Sequence, residues 1–282
     1  MPSVRDRQKR YPSDLTDAQW EVIRSLIPSA RRGGRPRRTN IRDVVDAILY
    51  LVSTGCAWRY LPKCFPPWKT IYDYYSRWTV GGVWLKIHAS LRDAVRAQEN
   101  RDCLPSYMII DSQSVRAPRG EQRGFDGFKR VTGRKRQIIV DTMGLVHGVH
   151  VHSADLSDTK EGSVLAEKMS LEYKQRLHVM HADQGYRGTF EGRFYSCFKI
   201  WPLINARENT GQGKKKTAAE KKAWKKIRPE VEEKKRWVVE RTFAWFNNYR
   251  RLRVDYEKKV LNSESMIYLA MTRLMLRRLH PT

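Results

Sequence analysis

Three acidic residues stand where a carboxylate could do chemistry. Asp111 ends the apolar run YMIID, Asp183 follows the run HVMHA, and Glu240 lies within RWVVERTFAWF. The first two runs read as strands and the third as a helix. Glu240 sits among apolar residues, where a purely structural Glu is disfavoured, and ADQGYRG joins Asp183 to a Gly turn and a basic side chain. Two carboxylates at strand ends and a third from a late helix suit a divalent-cation site. Mg²⁺ prefers carboxylate oxygens and takes its other ligands from water and phosphate. Two ions about 4 Å apart can serve both the attacking and the leaving oxygen of a phosphodiester displacement. The expected cofactor is therefore a pair of Mg²⁺ (or Mn²⁺) ions, one carboxylate bridging them and each of the others holding one. Without metal, clustered carboxylates repel and at least one pKa rises.

The rest of the chain is strongly basic. Its 282 residues hold 55 Lys and Arg against 30 Asp and Glu, a formal net charge of +25. Such an excess repels itself and points to a polyanionic partner; a merely solvated basic surface is the plain alternative. No apolar run of about 18 residues occurs, so no membrane span is expected. MPSVRDRQKRYPSDLTD has no apolar core and does not read as a signal peptide. Cys56, Cys64, Cys103 and Cys197 form no C-x-x-C pair, which leaves zinc-ribbon and redox motifs unsupported. A reduced, cytoplasmic chain is the expectation.

The elements that must position the three acids read as follows. Residues 1–12 are a polar, basic arm. SDLTDAQWEVIRSLIP is a helix, with Thr16 and Gln19 as a capping box and Pro28 as its stop. SARRGGRPRRTN is an extended loop with five arginines. A second helix runs from an Asn40 cap to Gly55, and KTIYDYYSRWTVGG and VWLKIHASLRDAVRAQ add two more. Residues 1–100 thus read as an N-terminal all-α domain of helix-turn-helix type. From Tyr107 strands take over: SYMIIDSQ, then a hairpin of RKRQIIVDT and LVHGVHVHSA about Met143-Gly144. A helix capped at Ser157 or Asp158, the strand RLHVMHAD, a short helix TFEGRFYSC and a strand FKIWPLINAR follow, then a Lys-rich stretch over about 208–230. A long helix VEEKKRWVVERTFAWFNNYRRL ends the domain at 256, and residues 257–282 form one more helix, capped near Asn262 or Ser263, that packs on the domain or on a second copy. The order β-β-β-α-β-α-β-α over 101–256 is that of a ribonuclease H-like fold, α/β with a mixed five-stranded sheet flanked by helices. In that fold the first strand, the fourth strand and the last helix converge, and Asp111, Asp183 and Glu240 fall on those three elements.

IIDSQSVR, GRKRQIIVDTMGLV, HADQGYRG and VVERTFAWFNNYRRL resemble the blocks of DDE transposases of bacterial insertion sequences, most closely the insertion sequence five family. YPSDLTDAQWEVIRSLIP and GRPRRTNIRDVVDAILYLVSTGCAWRYLP resemble the N-terminal helical region of that family, so the likeness spans nearly the whole chain. It implies that Asp111, Asp183 and Glu240 are the metal-binding catalytic residues. It also implies a protein of the bacterial nucleoid that binds an element's terminal inverted repeats as a homodimer, cuts them by metal-dependent hydrolysis and joins the 3′-OH ends to target DNA. The related insertion sequence four group has a Tyr-x2-Arg-x3-Glu-x6-Lys pattern. Arg236 and Glu240 fit it, whereas Glu233 and Asn247 replace its Tyr and Lys. Arg236, Glu240 and Asn247 share a helix face, and Arg241 or Arg250 could supply the missing cation.

Expected DNA contacts follow from residue chemistry. Lys69, Thr70 and Arg77 belong to a helix after Pro67 that could present them to base edges; its aromatics pack. Arg31, Arg32, Arg35, Arg37 and Arg38 suit a minor-groove arm, with a solvated loop as the alternative. His181, two residues before Asp183, is a candidate supporting residue behind the metal site. His147, His150 and His152 share a strand, and a transition-metal site there is the weaker alternative to ordinary packing. Asp141, in IIVDTMG, reads as a hairpin residue. Two rival functions remain: a structure-specific nuclease on the same fold, and a catalytically silent DNA-binding descendant of a transposase.

Overall fold

The computed structural model describes residues 9–30, 37–169, 171–204 and 237–281, the side chains of 171 and 172 excepted. Local signals start its N-terminal helices. In α1 (Asp17–Arg24) the Thr16 hydroxyl accepts the Gln19 amide at 3.1 Å and the Gln19 side chain accepts the Thr16 amide at 3.2 Å, closing the capping box. This helix stops at Arg24, one turn before Pro28. Asn40 caps α2 (Ile41–Thr54) by accepting the amides of Arg42 and Asp43, and Gly55 ends it at φ 73°. A Cβ at Gly55 would lie 3.0 Å from Arg250 Cβ, so the glycine also permits a close approach. Helices α3 (Trp68–Val80) and α4 (Val83–Gln98) complete this region.

A mixed sheet follows, built from β1 (Tyr107–Arg116), β2 (Gly124–Asp126), β3 (Val131–Asp141), β4 (Val146–Ser153), β5 (Val179–Ala182) and β6 (Leu203–Ile204). Strand β1 lies in the middle, antiparallel to β3 and parallel to β5, which in turn pairs in parallel with β6. Strands β4 and β2 succeed each other along the outer edge of β3: Arg134 pairs with Ser153 and Gly133 with Gly124. The sheet is therefore six-stranded rather than five-stranded, because β2 forms in a Gly-rich stretch too short to carry a periodic signal. Helices α5 (Asp158–Lys168), α6 (Leu171–Arg176) and α7 (Thr189–Phe198) follow β4 and β5. Ser157, not Asp158, caps α5, and the expected single helix after it is two. The last part of the fold is α8 (Trp237–Asn247), the short α9 (Arg250–Arg253) and α10 (Val260–Leu279). The expected long helix thus breaks at Asn248-Tyr249, and α10 starts at Val260, which leaves Asn262 and Ser263 inside it rather than capping it. The Lys-rich stretch lies outside the described residues.

Alternation along β1 sends side chains into two cores. Ile109 joins Ile138, Val140, Val149 and Val151 in a core that takes in α2, α3, α4, α8 and α10. Met108 and Ile110 pack on the other side against Leu165, Phe190, Phe194 and Phe198. Helix α10 lies against α4 and β4 and also meets α1, α2 and α3, so the N-terminal helices and the sheet share one core. The Tyr75 hydroxyl donates to the Asn262 carbonyl at 2.9 Å across this junction. Among the described residues no helix is long and apolar enough to cross a membrane.

Candidate active site

Register brings the two aspartates together. Parallel pairing of β1 and β5 matches Ile109 with His181 and Ile110 with Ala182, so the next position on each strand is an aspartate, Asp111 and Asp183. Adjacent strands lie about 4.8 Å apart. β1 continues past this point, whereas β5 ends and Asp183 opens a 3₁₀ turn over Gln184–Tyr186. The two carboxylates therefore meet where the strands part, and both are partly exposed. The Asp111 carboxylate also accepts the Ser112 amide at 2.8 Å.

Glu240 arrives on α8. Val239 and Phe246 are fully buried, and Val239 and Phe243 belong to the same core as Ile109, so α8 covers the side of β1 to which Ile109 and, by alternation, Asp111 point. Three contacts fix the helix. The Thr242 hydroxyl donates to the Gly144 carbonyl at 2.9 Å, Arg241 donates to the Met143 carbonyl at 2.9 Å, and the Arg136 guanidinium lies 5.2 Å from the Phe246 ring centroid. Glu240 itself is exposed in the first turn. Among the described residues no three His, Cys, Asp or Glu side chains are gathered as a metal site. What the fold brings side by side is the Asp111–Asp183 pair.

Tyr186 is a site residue that the sequence did not single out. Its ring is buried beneath the aspartates. Burial pushes this phenol well above its usual pKa, and the carboxylates of Asp111, Asp158 and Asp183 push it further. Asp158 in turn meets Lys135 at 3.3 Å and Gln137 at 3.4 Å. The only sequence signal was the aromatic in DQGYRG. His181 is buried behind Asp183, with its Nδ1 3.0 Å from the Tyr107 hydroxyl.

The other candidates scatter. Lys69 and Arg77 are exposed on α3 and Thr70 is half-buried; Arg77 donates to the Asp73 carbonyl and lies over Tyr74. Arg37 donates to the Pro28 carbonyl, and Arg38 is exposed. Arg241 lies between Trp237 and Trp245, at 4.6 and 4.9 Å from their centroids, and Arg278 covers Trp245 at 4.8 Å. Asn247 and Arg250 are exposed. Arg31, Arg32, Arg35 and Arg236 lie outside the described residues. The three histidines of β4 do not form a site. His147 meets Asp141 at 3.3 Å and Tyr173 at 3.1 Å, His150 meets Glu161 at 2.8 Å, and His152 meets the Ser153 carbonyl at 2.8 Å. Asp141 is a buried structural acid, paired with Arg96 and accepting the Met143 and Leu145 amides at 2.9 Å.

Comparison with known proteins gives the class. Residues 103–275 match the family described as "Transposase DDE domain", and residues 15–88 match "Putative transposase of IS4/5 family". The chain belongs to the DDE transposases of the IS4/5 type. Among its relatives is a putative transposase for insertion sequence element IS402 of Burkholderia cepacia, 28% identical over 182 residues, which are 61% of this chain and 75% of the relative. An uncharacterized protein y4sN of Sinorhizobium fredii is 35% identical over 103 residues, 36% of this chain and 76% of that one. A chain of a pre-cleavage Mos1 transpososome is a faint structural likeness, at 9% identity and a TM-score of 0.24 over 80% of this chain and 81% of that one.

Proposed function

We propose that this transposase binds the terminal inverted repeats of its insertion sequence, cleaves the DNA strands by metal-dependent hydrolysis and joins the freed 3′-OH ends to target DNA. The observation that carries the reading is the juxtaposition of Asp111 and Asp183 on neighbouring parallel strands, under the helix that bears Glu240. The strand order β4-β3-β1-β5-β6, with the first three antiparallel and the last two parallel to β1, supports a ribonuclease H-like fold for this domain.

The donor set fits a hard divalent cation: two partly exposed carboxylates on neighbouring strands. Mg²⁺ or Mn²⁺ bound there would lower the pKa of the attacking water or hydroxyl and stabilise the leaving oxygen. Asp111 and Asp183 would hold the cation, with Glu240 of α8 as the third carboxylate of the set. Tyr186 fixes the floor beneath the pair, and His181, held by Tyr107, keeps β5 in register with β1. The cations of the N-terminal helices hold the DNA backbone, which positions a strand without reading it. Two ends must be cut in concert, so a homodimer on DNA is the working form, at the nucleoid.

The test is cleavage and strand transfer on duplexes carrying the element's ends, with and without Mg²⁺. Cutting and joining that require metal and vanish in Asp111→Asn are expected. Undiminished cutting by that variant would show that the wrong residue was chosen. Cutting without joining would mark a nuclease, and binding without cutting a silent descendant.

A further inference from the structure

The β2–β3 hairpin carries two phenylalanines in solvent, Phe125 on β2 and Phe128 in the turn. Phe128 is 100% exposed and Phe125 57% exposed. A single apolar side chain on a surface is ordinary. Here two lie three residues apart on a hairpin that is braced rather than loose. Asp126 is buried and its carboxylate accepts the Phe128 and Lys129 amides, each at 3.0 Å, and the Ser114 hydroxyl. The base of the finger is clamped as well. Arg134, fully buried, donates to the Glu121 carbonyl and to the carbonyls of Glu257 and Lys258. The Glu121 amide donates to the Lys258 carbonyl at 2.9 Å, and the Glu121 carboxylate accepts the Val260 amide at 3.2 Å. Such a support fixes the direction in which Phe128 projects.

The charge around the tip selects its partner. Arg116, Arg119, Arg123, Lys129 and Arg130 are all exposed, and none forms an ion pair among the described residues. Of the acids beside the finger, Asp126 and Glu121 are taken up by backbone amides, and Asp155, whose carboxylate lies against Gly124, accepts the Ser153 hydroxyl. An aromatic ring ringed by unpaired cations matches a polyanion that also offers flat faces. Apolar side chains that enter between base steps do this in proteins that kink DNA. Resting on the transposase reading above, we propose that the β2–β3 finger is a DNA wedge: the cations hold the phosphates and Phe128 enters between two base pairs of the bound duplex.

The test uses the full chain and a duplex of the DNA flanking its coding sequence, with 2-aminopurine placed at successive positions. Expected is a fluorescence rise confined to one step, lost in Phe128→Ala, together with an affinity about ten-fold weaker. The ring is fully exposed among the described residues, so the Tm of the variant should stay as it is. The variant Arg123→Ala/Lys129→Ala/Arg130→Ala should bind with a shallower salt dependence and keep the rise at the same step. The wedge is overturned if the wild-type chain binds the duplex with flat 2-aminopurine signals, or if Phe128→Ala binds equally well. A dimer that dissociates in Phe128→Ala while DNA binding is unchanged would assign the tip to a second copy and overturn it too. A wild-type chain that binds no duplex would instead defeat the transposase reading, and the wedge with it.

Discussion

At the scale of single residues the site depends on two carboxylates that a parallel ladder sets abreast. Replacing either carboxylate by a carboxamide keeps the shape and removes the charge. Asp111→Asn and Asp183→Asn are expected to fold with unchanged Tm and to lose metal-dependent cleavage by about a thousand-fold or more, the scale of a lost metal clamp of several kcal/mol; single-turnover cleavage checks this. A second acid, Asp141, has a structural task. Burial alone would raise its pKa, but the His147 hydrogen bond, the charges of His147 and Arg96 and the Leu145 amide outweigh that and hold it below the usual range. Removing Arg96 would leave this carboxylate buried without its cation, and Arg96→Ala should cost about 3–5 kcal/mol in denaturant unfolding. His147 sets a pH dependence. Burial lowers its pKa from 6.5 to about 4. The unfolded chain therefore takes up a proton in that interval that the folded chain refuses. Stability should fall as pH drops from 6.5 towards about 4 and the His147 contribution should level off below that. His147→Gln should flatten this slope, read from Tm against pH.

At the scale of elements, local chemistry placed most boundaries. Thr16 with Gln19, Asn40, Gly55 and Ser157 cap their helices because a cap needs only neighbours within a turn. Asn262 and Ser263 looked like caps by the same rule but lie inside α10, since the preceding chain is held by Arg134 and the helix is capped at Lys259, three residues before Asn262. The β3 run RKRQ could not be read as core from its composition, yet Arg134, Arg136 and Gln137 are buried. Their partners, Asp255, Gln113 and Asp158, come from other parts of the chain. Glu240 depends on how α8 is seated, and that rests on the hairpin glycine. Gly144 has φ 80°, and a Cβ there would stand 2.8 Å from the Thr242 hydroxyl and 2.9 Å from the Trp245 ring. Gly144→Ala should cost about 2 kcal/mol through backbone strain and displacement of α8. Its cleavage rate should fall further than its stability explains, which parallel unfolding and cleavage measurements would detect.

At the scale of the molecule, one core ties the N-terminal helices to the sheet through α10. The α4 residues Ile87, Leu91 and Val95 are buried together with Met266, Ile267 and Ala270 of α10. A fragment of residues 1–100 would expose that face, so it should lack a cooperative unfolding transition by circular dichroism; a sharp two-state melt would contradict the shared core. A net charge of +25 would make the proposed encounter with DNA electrostatic. Affinity should drop by about 10³-fold or more between 50 and 200 mM salt if several phosphates are neutralised. A flat titration would mean that the excess charge faces solvent.

What the linear chain determined was whatever depends on neighbours: caps, strand alternation, the turn at Met143-Gly144, the net charge and the family-like blocks around its acids. Tertiary structure alone decided which distant groups share a space. Pairing Ile110 with Ala182 set Asp111 beside Asp183, packing put Tyr186 beneath them and α8 above, and burial paired Arg134 with Asp255 and Arg96 with Asp141. The reason is physical. A cap or a turn is stabilised within a few residues, whereas a buried charge or a shared cation site is stabilised only by groups that folding brings from far along the chain.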